Sequence, residues 1–455
     1  MKYFSRLLLS CLLSFWVCQA QAELDSASSL SLSVDKQLVK NANRFGVVGQ
    51  SVLILKNHHP IYRGVQGYAN KELSVKVTPE HIFPSYSVAK LFTSVLVMQL
   101  VQSGEVDLQH SIRDYLAYLP QSWQNVTVAH LLNHTSGVPR YFDAIMQRGS
   151  FLADKKAVYS SLEQAPTHFK MGTENRYNNT NFLLLASLLE LKTKKSYKQL
   201  VDDVIVKPLG LQNTGHASAR AVRHNMVSSY QGANGVTIKN LDIDWPEYSF
   251  AHSALYSTPE DLATFIAALI KGKFVKPQLL KTYFNPMMLS DGTAGTYAFG
   301  FEYSVEDNFI RVGHDGGNRV KLRHYYNVEN AADNYTLVYM TNGNANDVWT
   351  DVLADSVMSV IAPETFKMAT LKEQFVEAVL ANNIRLMNDV YDAVKAMKGN
   401  DTAAVEQFLL YRAYSLKYGS GVASSVGAFE FLVEKFPASE NAQQSLNQIK
   451  QLLTE

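Results

Sequence analysis

The sequence predicts an α/β fold in which an antiparallel sheet is flanked by helices and followed by an all-helical extension. Three segments, residues 310–313, 320–328 and 335–342, alternate and are rich in Val, Tyr and Thr, which is typical of strands of one antiparallel sheet. Beyond Pro363, apolar residues recur at helical spacing and strand signals almost vanish. A chain of 455 residues can bury a large core and is typical of one large domain with a smaller one.

Residues 1–22 have the pattern of a cleaved signal peptide. Lys2 and Arg6 form a basic start, residues 7–17 are apolar, and residues 20–22 form a small-residue cleavage site. We therefore expect a periplasmic or secreted protein. The apolar run is too short for a permanent transmembrane helix, and no second run approaches that length. Cys18 leaves a lipoprotein alternative, against which the bulky residues before it argue.

The cysteine content and the net charge limit which catalytic chemistry and which partners we expect. Both cysteines, Cys11 and Cys18, lie within the leader, so the mature chain has neither disulfides nor thiol catalysis. Removing Lys2 and Arg6 lowers the basic count from 42 to 40, against 41 acidic residues. Because the net charge is then about −1 and no basic block stands out, we expect no nucleic acid partner.

The mature chain begins with an amphipathic helix over residues 25–43 and two strands over residues 49–56 and 61–67. His58 and His59 lie in the turn between the strands. They could suggest a metal site, although paired histidines in an exposed turn are more often simply polar.

Ser87 and Lys90 are the first candidates for catalysis. They are three residues apart at the start of an apolar stretch, residues 91–101, that Gly104 ends, so they share one helical face. Ser87 would lie at the positive end of the helix dipole. Burial would lower the proton affinity of Lys90 and make it a general base. The alternative is a helix-capping serine with a solvated lysine.

Two later segments carry further candidates. His130 and His134 are four apart on a short helix, residues 128–133, a spacing that can bind zinc. No glutamate lies between them as in H-E-x-x-H, and a structural role for His134 at the helix end beside Gly137 is favoured. Residues 177–181 form a polar turn that leads into an apolar helix. Taken alone, Tyr177 could equally be a core tyrosine.

Residues 313–317, Gly-His-Asp-Gly-Gly, are too rich in glycine for an ordinary strand. Such a stretch suits the close approach of a backbone to a ligand. His314 could alternatively be a polar residue at a strand end. Ahead of this stretch, Thr258 as N-cap and Pro259 at the first helical position predict a helix start.

These segments together resemble the serine β-lactamase-related superfamily: class C β-lactamases, D-alanyl-D-alanine carboxypeptidases of the S12 peptidase type and related esterases. That family carries S-x-x-K, then Y-x-N, then K-T-G or H-x-G. The chain has Ser87-Val-Ala-Lys90, Tyr177-Asn-Asn179 and His314-Asp-Gly316 in this order. Residues 131–137 resemble the family's L-L-x-H-T-S-G, and residues 255–262 resemble its L-x-S-T-x-x-D-L. The resemblance covers residues 38–360 and leaves out the C-terminal helices.

The resemblance implies a β-lactamase/transpeptidase-like fold, with an all-helical subdomain inserted and the site in the cleft between the two parts. It implies that Ser87 is the nucleophile and that Lys90 and Tyr177 form the base system, in which the lysine ammonium lowers the pKa of the phenol. It also implies that the backbone N–H groups of Ser87 and Gly317 form the oxyanion hole. The residues that it places at the substrate are Asn179, His314 and Gly316.

Several positions depart from the family pattern. Met171 stands where proline is common, Asn175 where an aromatic residue is common, and Ser253-Ala254 where Gly-Gly is usual. His314 replaces a lysine, which removes a permanent positive charge. Asp315 would repel an anionic substrate if it faced the cleft. The last two changes favour neutral esters, amides or D-amino-acid peptides over β-lactams.

We therefore predict an exported serine hydrolase domain over residues 23–362, without metal or organic cofactor, that acts on a small-molecule or peptide substrate. A class C-like β-lactamase or penicillin-binding protein is the alternative. A helical extension over residues 363–455 partly resembles a tetratricopeptide-type pair. It is either an appendage packed on the main domain or a module for a protein partner, and a non-catalytic scaffold that uses it is the second alternative.

Overall fold

A computed structural model describes residues 28–454 except positions 217, 219–220, 234, 236 and 241–242. The proposed signal peptide, residues 1–22, lies outside this part, so cleavage and export stay predictions. Within the described part, no helix combines the length and the apolar character that crossing a bilayer requires.

The described residues contain thirteen strands. They are β1 Gly49–Lys56, β2 His59–Asn70, β3 Val75–Lys76, β4 Phe83–Pro84, β5 Gly215–His216, β6 Tyr230–Ala233, β7 Thr237–Asn240, β8 Leu255–Ser257, β9 Tyr297–Ala298, β10 Phe301–Glu306, β11 Phe309–Gly316, β12 Val320–Asn327 and β13 Asn334–Thr341. Eight of them form one antiparallel sheet in the order β3-β2-β1-β13-β12-β11-β10-β9. The others form a small sheet, β4-β8-β5, and a hairpin, β6-β7.

Helices precede, interrupt and follow these strands. Their bounds are α1 28–45, α2 Ala89–Gln102, α3 Ile112–Tyr115, α4 Val128–Leu132, α5 Tyr141–Arg148, α6 Lys155–Glu163, α7 Asn179–Thr193, α8 Tyr197–Val201, α9 Lys207–Leu209, α10 Pro259–Ile270, α11 Pro277–Tyr283, α12 Thr350–Ile361, α13 Lys367–Leu380, α14 Ile384–Met397, α15 Thr402–Gly419, α16 Val426–Lys435 and α17 Glu440–Leu452. Single 3-10 turns at Tyr86–Val88 and Gly317–Arg319 border the candidate site.

The sheet is covered on both faces. On one face, α2, α7 and α10 enclose the largest apolar cluster, in which the Phe92 and Phe265 rings stack at 4.1 Å. On the other face, α1 and α12 cover a second cluster that includes Val34 and Leu353. Helices α3 to α9 form the all-helical part between β4 and β5. The predicted fold class is confirmed.

The three strands expected from alternation are β11, β12 and β13, and they are neighbours in the sheet. The glycine-rich stretch differs from expectation, because β11 continues through it to Gly316. A Cβ at Gly316 would lie only 2.4 Å from the Ser85 carbonyl oxygen. The glycine therefore serves a close contact between the strand and the turn that carries Ser87.

Helices α13 to α17 form the C-terminal extension and have an apolar cluster of their own, which includes Phe375, Leu409 and Leu432. Ion pairs join the extension to the rest of the chain: Lys372 lies 2.9 Å from Asp355 and 3.1 Å from Glu306. The domain boundary near residue 362 and the likeness to a tetratricopeptide pair stay predictions.

Candidate active site

Ser87 lies in a tight turn between β4 and α2. The preceding residue, Tyr86, has φ of 46°, a left-handed conformation that costs energy for a residue with a side chain. The Ser85 N–H donates to the Leu255 carbonyl at 2.6 Å, which ties the turn to β8. The turn presents Ser87 Oγ 2.7 Å from Tyr177 Oη and 3.3 Å from Lys90 Nζ. The three residues that the motifs predicted as nucleophile and base are therefore in direct contact.

Lys90 is fully buried at the first turn of α2. Its ammonium or amine group donates to the His252 carbonyl at 3.0 Å. Burial lowers the pKa of Lys90 well below the ordinary lysine value, although the negative charge of Glu302 acts in the opposite direction. The alternative of a solvated lysine beside a capping serine is wrong, because Lys90 has no contact with solvent and Ser87 makes no side-chain cap.

Tyr177 precedes α7, whose N-cap is Asn178. Burial raises the pKa of Tyr177, and its hydrogen bond with Ser87 offsets only part of that increase. The expected lowering by a lysine ammonium is therefore wrong for the resting site. Lys90 Nζ lies 4.7 Å from the centre of the Tyr177 ring, but both shifts favour the uncharged forms. Burial therefore opposes charge on both of the groups that flank Ser87.

His134 and His130 have structural partners. His134 Nδ1 accepts hydrogen bonds from the Asn178 N–H at 3.1 Å and from Asn181 Nδ2 at 3.0 Å, which fixes the loop that carries Tyr177. His130 Nδ1 accepts from the Thr127 N–H at 3.1 Å as part of a helix cap. No cluster of three or more His, Cys, Asp or Glu side chains in the described residues could hold a metal ion.

The end of β11 packs directly on the Ser87 turn. A Cβ at Gly317 would lie 2.9 Å from the Tyr86 ring, so a side chain there would push the strand away. This packing places Gly317 against Tyr86, the residue that precedes Ser87. The roles of Gly316 at the substrate and of Gly317 in the oxyanion hole stay predictions.

His314 is almost completely buried, with 2% of its surface exposed. Its ring lies 5.9 Å from that of Tyr177, and Nδ1–H donates to the Asp315 carbonyl at 2.6 Å. Burial lowers the pKa of His314 to about 4, so the imidazole is neutral at physiological pH. It does not replace the lysine charge of relatives, and its contact with a substrate stays a prediction.

The Asp315 carboxylate does not have the effect on anionic substrates that the sequence analysis considered. Its carboxylate pairs with Lys321 at 3.1 Å and with Arg323 at 2.8 Å. Neighbouring strand residues point to opposite faces, and these partners share the Asp315 face while His314 faces Tyr177. Its expected repulsion of anionic substrates is therefore not supported.

Asn179 is the first residue of α7. Its Oδ1 is buried and has no hydrogen-bond partner in the described part of the chain. An unpaired amide oxygen beside Tyr177 can accept a hydrogen bond from a substrate N–H group. The predicted contact of Asn179 with the substrate agrees with this geometry and stays a prediction.

Sequence reasoning missed three neighbours of the site. His252 holds Lys90 through its backbone carbonyl, a group that every residue has, so no motif could reveal it. Tyr297 packs its ring 4.5 Å from His134 and 6.3 Å from Tyr177. Glu302 accepts from the Asp315 N–H at 3.1 Å and from Arg323 at 2.6 Å. Neither Tyr297 nor Glu302 belongs to a recognisable sequence pattern.

We expect Glu302→Gln to move the acidic limb of the activity profile to lower pH. Burial acts to raise the pKa of Glu302, but Arg323 and His314 outweigh it and lower the value to about 2, so the residue is anionic. Its charge raises the pKa of Lys90, and removing the charge leaves Lys90 neutral to a lower pH. The measurement is the pH dependence of ester hydrolysis.

Glu306→Gln is the matched control. It removes a carboxylate from the same strand, but Glu306 pairs with Arg311 at 2.6 Å and with Lys372 at 3.1 Å, and it is not among the groups that shift the pKa of Lys90. Its acidic limb should coincide with that of the unmodified protein. An unchanged limb in Glu302→Gln, or equal shifts in both variants, would contradict the assignment of this limb to Lys90.

Comparison with known proteins gives a family for this arrangement. A family sequence profile described as Beta-lactamase matches residues 35–357, well over half of the chain. Protein flp of Staphylococcus aureus strain N315 is 23% identical over 329 residues, which are 69% of this chain and 64% of that protein. A D-aminopeptidase of Gluconobacter oxydans strain 621H is 25% identical over 307 residues, 66% of this chain and 56% of that protein. The chain spans less than two thirds of the length of these relatives.

Solved structures share the fold. The octameric penicillin-binding protein homologue from Pyrococcus abyssi superposes with a TM-score of 0.64 at 20% identity, covering 76% of this chain and 81% of that chain. The D-amino acid amidase from Ochrobactrum anthropi SV3 gives a TM-score of 0.61 at 22% identity, covering 74% of this chain and 99% of that chain. At such identities the likeness concerns the fold alone.

Proposed function

The chain belongs to the beta-lactamase family, and on that premise we propose that it is an exported serine hydrolase that forms an acyl-enzyme on Ser87. The observation that carries the proposal is the position of the Ser87 hydroxyl between a buried phenol and a buried lysine. Ser87 Oγ lies 2.7 Å from Tyr177 Oη and 3.3 Å from the buried Lys90 Nζ. A serine hydroxyl becomes an effective nucleophile when an adjacent base can take its proton.

Lys90 is the base in this proposal. The mechanism requires the uncharged form of Lys90, towards which burial shifts the group, so that Nζ can accept the Ser87 proton while Tyr177 O–H donates to Ser87 Oγ and a Lys90 N–H donates to the His252 carbonyl. As Ser87 Oγ attacks the substrate carbonyl carbon, its proton passes to Lys90. The bond from the carbonyl carbon to the leaving oxygen or nitrogen then breaks, and the leaving group receives a proton through Tyr177. Lys90 is free to act as base again once its proton has passed through Tyr177 to the leaving group. Water then attacks the acyl carbon and gives a proton to Lys90, the bond from this carbon to Ser87 Oγ breaks, and Ser87 Oγ takes the proton from Lys90 as the acid is released.

The negative charge of the tetrahedral intermediate falls on the former carbonyl oxygen. The backbone N–H groups of Ser87 and Gly317 would stabilise it, in addition to the positive end of the turn that leads into α2. Asn179 Oδ1 would accept an N–H group of an amide substrate. No metal or organic cofactor is required by these steps.

The proposed substrates are esters, amides or D-amino-acid peptides. In support, His314 is neutral at physiological pH because burial lowers its pKa to about 4, so this position supplies no fixed cation for a substrate carboxylate. A relative 25% identical to the chain is a D-aminopeptidase. Hydrolysis of β-lactams or their binding as in a penicillin-binding protein is the alternative.

The test is intact-mass measurement after incubation with a panel of activated esters, penicillins, D-Ala-D-Ala peptides and a fluorophosphonate. We expect a mass increase equal to one acyl or phosphonyl group in the unmodified protein and none in Ser87→Ala. Ser94→Ala is the matched control, because Ser94 is buried two turns further along α2 and its hydroxyl has no partner in the described residues. The retained acyl group would identify the substrate class.

Labelling of the Ser87→Ala protein would contradict the proposal. A failure of every probe to label the unmodified protein would contradict it as well. Absence of labelling together with a protein partner that is lost on truncation after Pro363 would favour the non-catalytic scaffold. Recovery of the protein in the periplasmic or secreted fraction, without residues 1–22, would test the proposed export.

A further inference from the structure

A pocket of about 780 Å³ lies between the main domain and the C-terminal extension. One wall comes from the turn after β11, with Arg319, and from the loop between β13 and α12, with Asn344 and Asp347. The opposite wall is the end of α15, with Lys417 and Tyr418. The motifs of the catalytic site include none of these residues.

The junction that forms this pocket is closely packed. A Cβ at Gly419, the last residue of α15, would lie 3.2 Å from the Phe45 ring and 3.3 Å from Val348. The Asp347 N–H donates to the Tyr418 carbonyl at 3.0 Å. The extension is therefore held against the main domain by backbone as well as side-chain contacts. These contacts place Lys417 in the wall of the pocket.

Two polar atoms of the residues that line the pocket are hydrogen-bond donors without an acceptor. Asn344 is 6% exposed, and its Nδ2 has no hydrogen-bond partner in the part of the chain that the structure describes. The same holds for Arg319 Nε. Lys417 makes no ion pair with any residue of that part. Unpaired buried donors carry a free-energy cost that a ligand with acceptor oxygens would remove.

The charges of the lining limit the ligand further. The guanidinium of Arg319 pairs with the Asp347 carboxylate, so these two charges compensate each other, and Lys417 remains as a single positive charge. The Tyr418 carbonyl of α15 is already bonded to the Asp347 N–H. A lining with one net positive charge fits a singly charged anion with two acceptor oxygens.

We infer that this pocket binds the carboxylate group of a small organic ligand, with Lys417 of the C-terminal extension as its counter-charge and Asn344 Nδ2 and Arg319 Nε as donors. The site gives the extension a role beyond the proposed hydrolysis. It adjoins the Ser87 region through Asn318, which lines the pocket and whose Nδ2 donates to Tyr86 Oη at 3.1 Å. The carboxylate can belong to the substrate or to a separate ligand.

The first experiment uses the Ser87→Ala protein, so it does not depend on hydrolysis. N-benzoylglycine and its uncharged amide are compared by calorimetry, and their binding is followed by quenching of Trp349, whose ring lies 6.3 Å from that of Tyr418. We expect the carboxylate to bind at least about tenfold more tightly than the amide, equivalent to about 1.4 kcal/mol. Lys417→Gln should abolish this difference and Lys417→Arg should preserve it.

Lys395→Gln is the matched control, because Lys395 is an exposed lysine in the last turn of α14 that does not line the pocket. Equal affinity for acid and amide in Ser87→Ala, or a preference that persists in Lys417→Gln, would overturn the inference. Circular dichroism of each variant establishes that it is folded.

The second experiment distinguishes the source of the carboxylate. Hydrolysis of 4-nitrophenyl butyrate is compared with that of mono-4-nitrophenyl glutarate, which carries a free carboxylate. If the substrate supplies the group, Lys417→Gln raises KM for the glutarate ester about tenfold and leaves that for the butyrate unchanged. If KM is unchanged for both and N-benzoylglycine still binds through Lys417, the ligand is separate. Absence of all hydrolysis would contradict the proposed function and leave the binding result standing.

Discussion

Lys90→Met should abolish hydrolysis and yet make the protein more stable. Methionine has a similar length and no charge, so it can occupy the same buried space beside Ser87. The loss of the base should lower kcat/KM by about 10²–10⁴-fold. Stability should rise because Lys90 is fully buried. Burial opposes the charged form of Lys90 and lowers its pKa, and an uncharged side chain at this position does not carry that desolvation cost.

Part of that gain is lost again. Lys90 Nζ donates to the His252 carbonyl at 3.0 Å, and leaving this carbonyl without a donor costs about 1–3 kcal/mol. The net expectation is an increase in the free energy of unfolding, because the desolvation of Lys90 outweighs the loss of this one hydrogen bond. Urea unfolding at pH 7 measures it, and ester hydrolysis by the same preparation measures the activity.

Lys321→Met is the control for the stability effect. Lys321 is also buried, but its charge pairs with Asp315 at 3.1 Å, so its removal weakens a buried ion pair and should destabilise the protein. Opposite signs for the two substitutions would show that the cost at position 90 comes from an unpaired lysine. A Lys90→Met protein that is less stable than the unmodified one, or that retains its activity, would contradict this account.

The contact among the three proposed catalytic residues could be predicted from the sequence because their signal is local. Ser87 and Lys90 are one helical turn apart, and Tyr177 precedes a capped apolar helix, so motif order was enough to bring the three together. The strands β11 to β13 were equally evident from their alternating pattern and their content of Val, Tyr and Thr, although helices cover both faces of the sheet. These elements depend on contacts that short stretches of sequence specify.

The electrostatics of the site could not be predicted in the same way. The direction of the Asp315 side chain depends on its partners in β12, Lys321 and Arg323, and the sequence does not give the strand register. The neutral state of His314 follows from its almost complete burial, which depends on the tertiary packing around β11 and not on the local sequence. The pKa of Tyr177 was expected to fall because Lys90 was assumed to be charged beside it, whereas burial dominates for both groups.

The second large effect is a loss of stability in mild acid caused by buried histidines. Five histidines are buried, and burial is the main cause that lowers the pKa of each: His134, His216, His252, His314 and His324. The values are about 3 for His216 and His324 and about 4 for His314. In the unfolded chain each histidine titrates near 6.5. Below that pH the unfolded state binds more protons than the folded state, so stability falls with falling pH.

Each of these groups has its full stabilising effect above pH 6.5 and loses it as the pH falls towards the folded value. At pH 5, a histidine whose folded pKa is 3 or 4 has lost about 2 kcal/mol. Three such groups together approach the whole stability of an ordinary domain, about 5–15 kcal/mol. Asp261 and Glu373, whose pKa is raised by burial, act in the opposite direction. Below pH 4, protonation of Glu302 and Asp355 adds to the loss, since the pKa of each is about 2.

His216→Phe separates this effect from acid unfolding in general. The His216 ring stacks on Phe250 at 5.4 Å, and neither ring nitrogen makes a hydrogen bond of good geometry in the described residues, so phenylalanine keeps the packing. We expect stability within about 1.5 kcal/mol of the unmodified protein at pH 7.5 and a relative gain of about 2 kcal/mol at pH 5. Urea unfolding between pH 4.5 and pH 8 measures the difference. If the two proteins lose stability in parallel, His216 takes up a proton in the folded state, and burial does not keep its imidazole neutral.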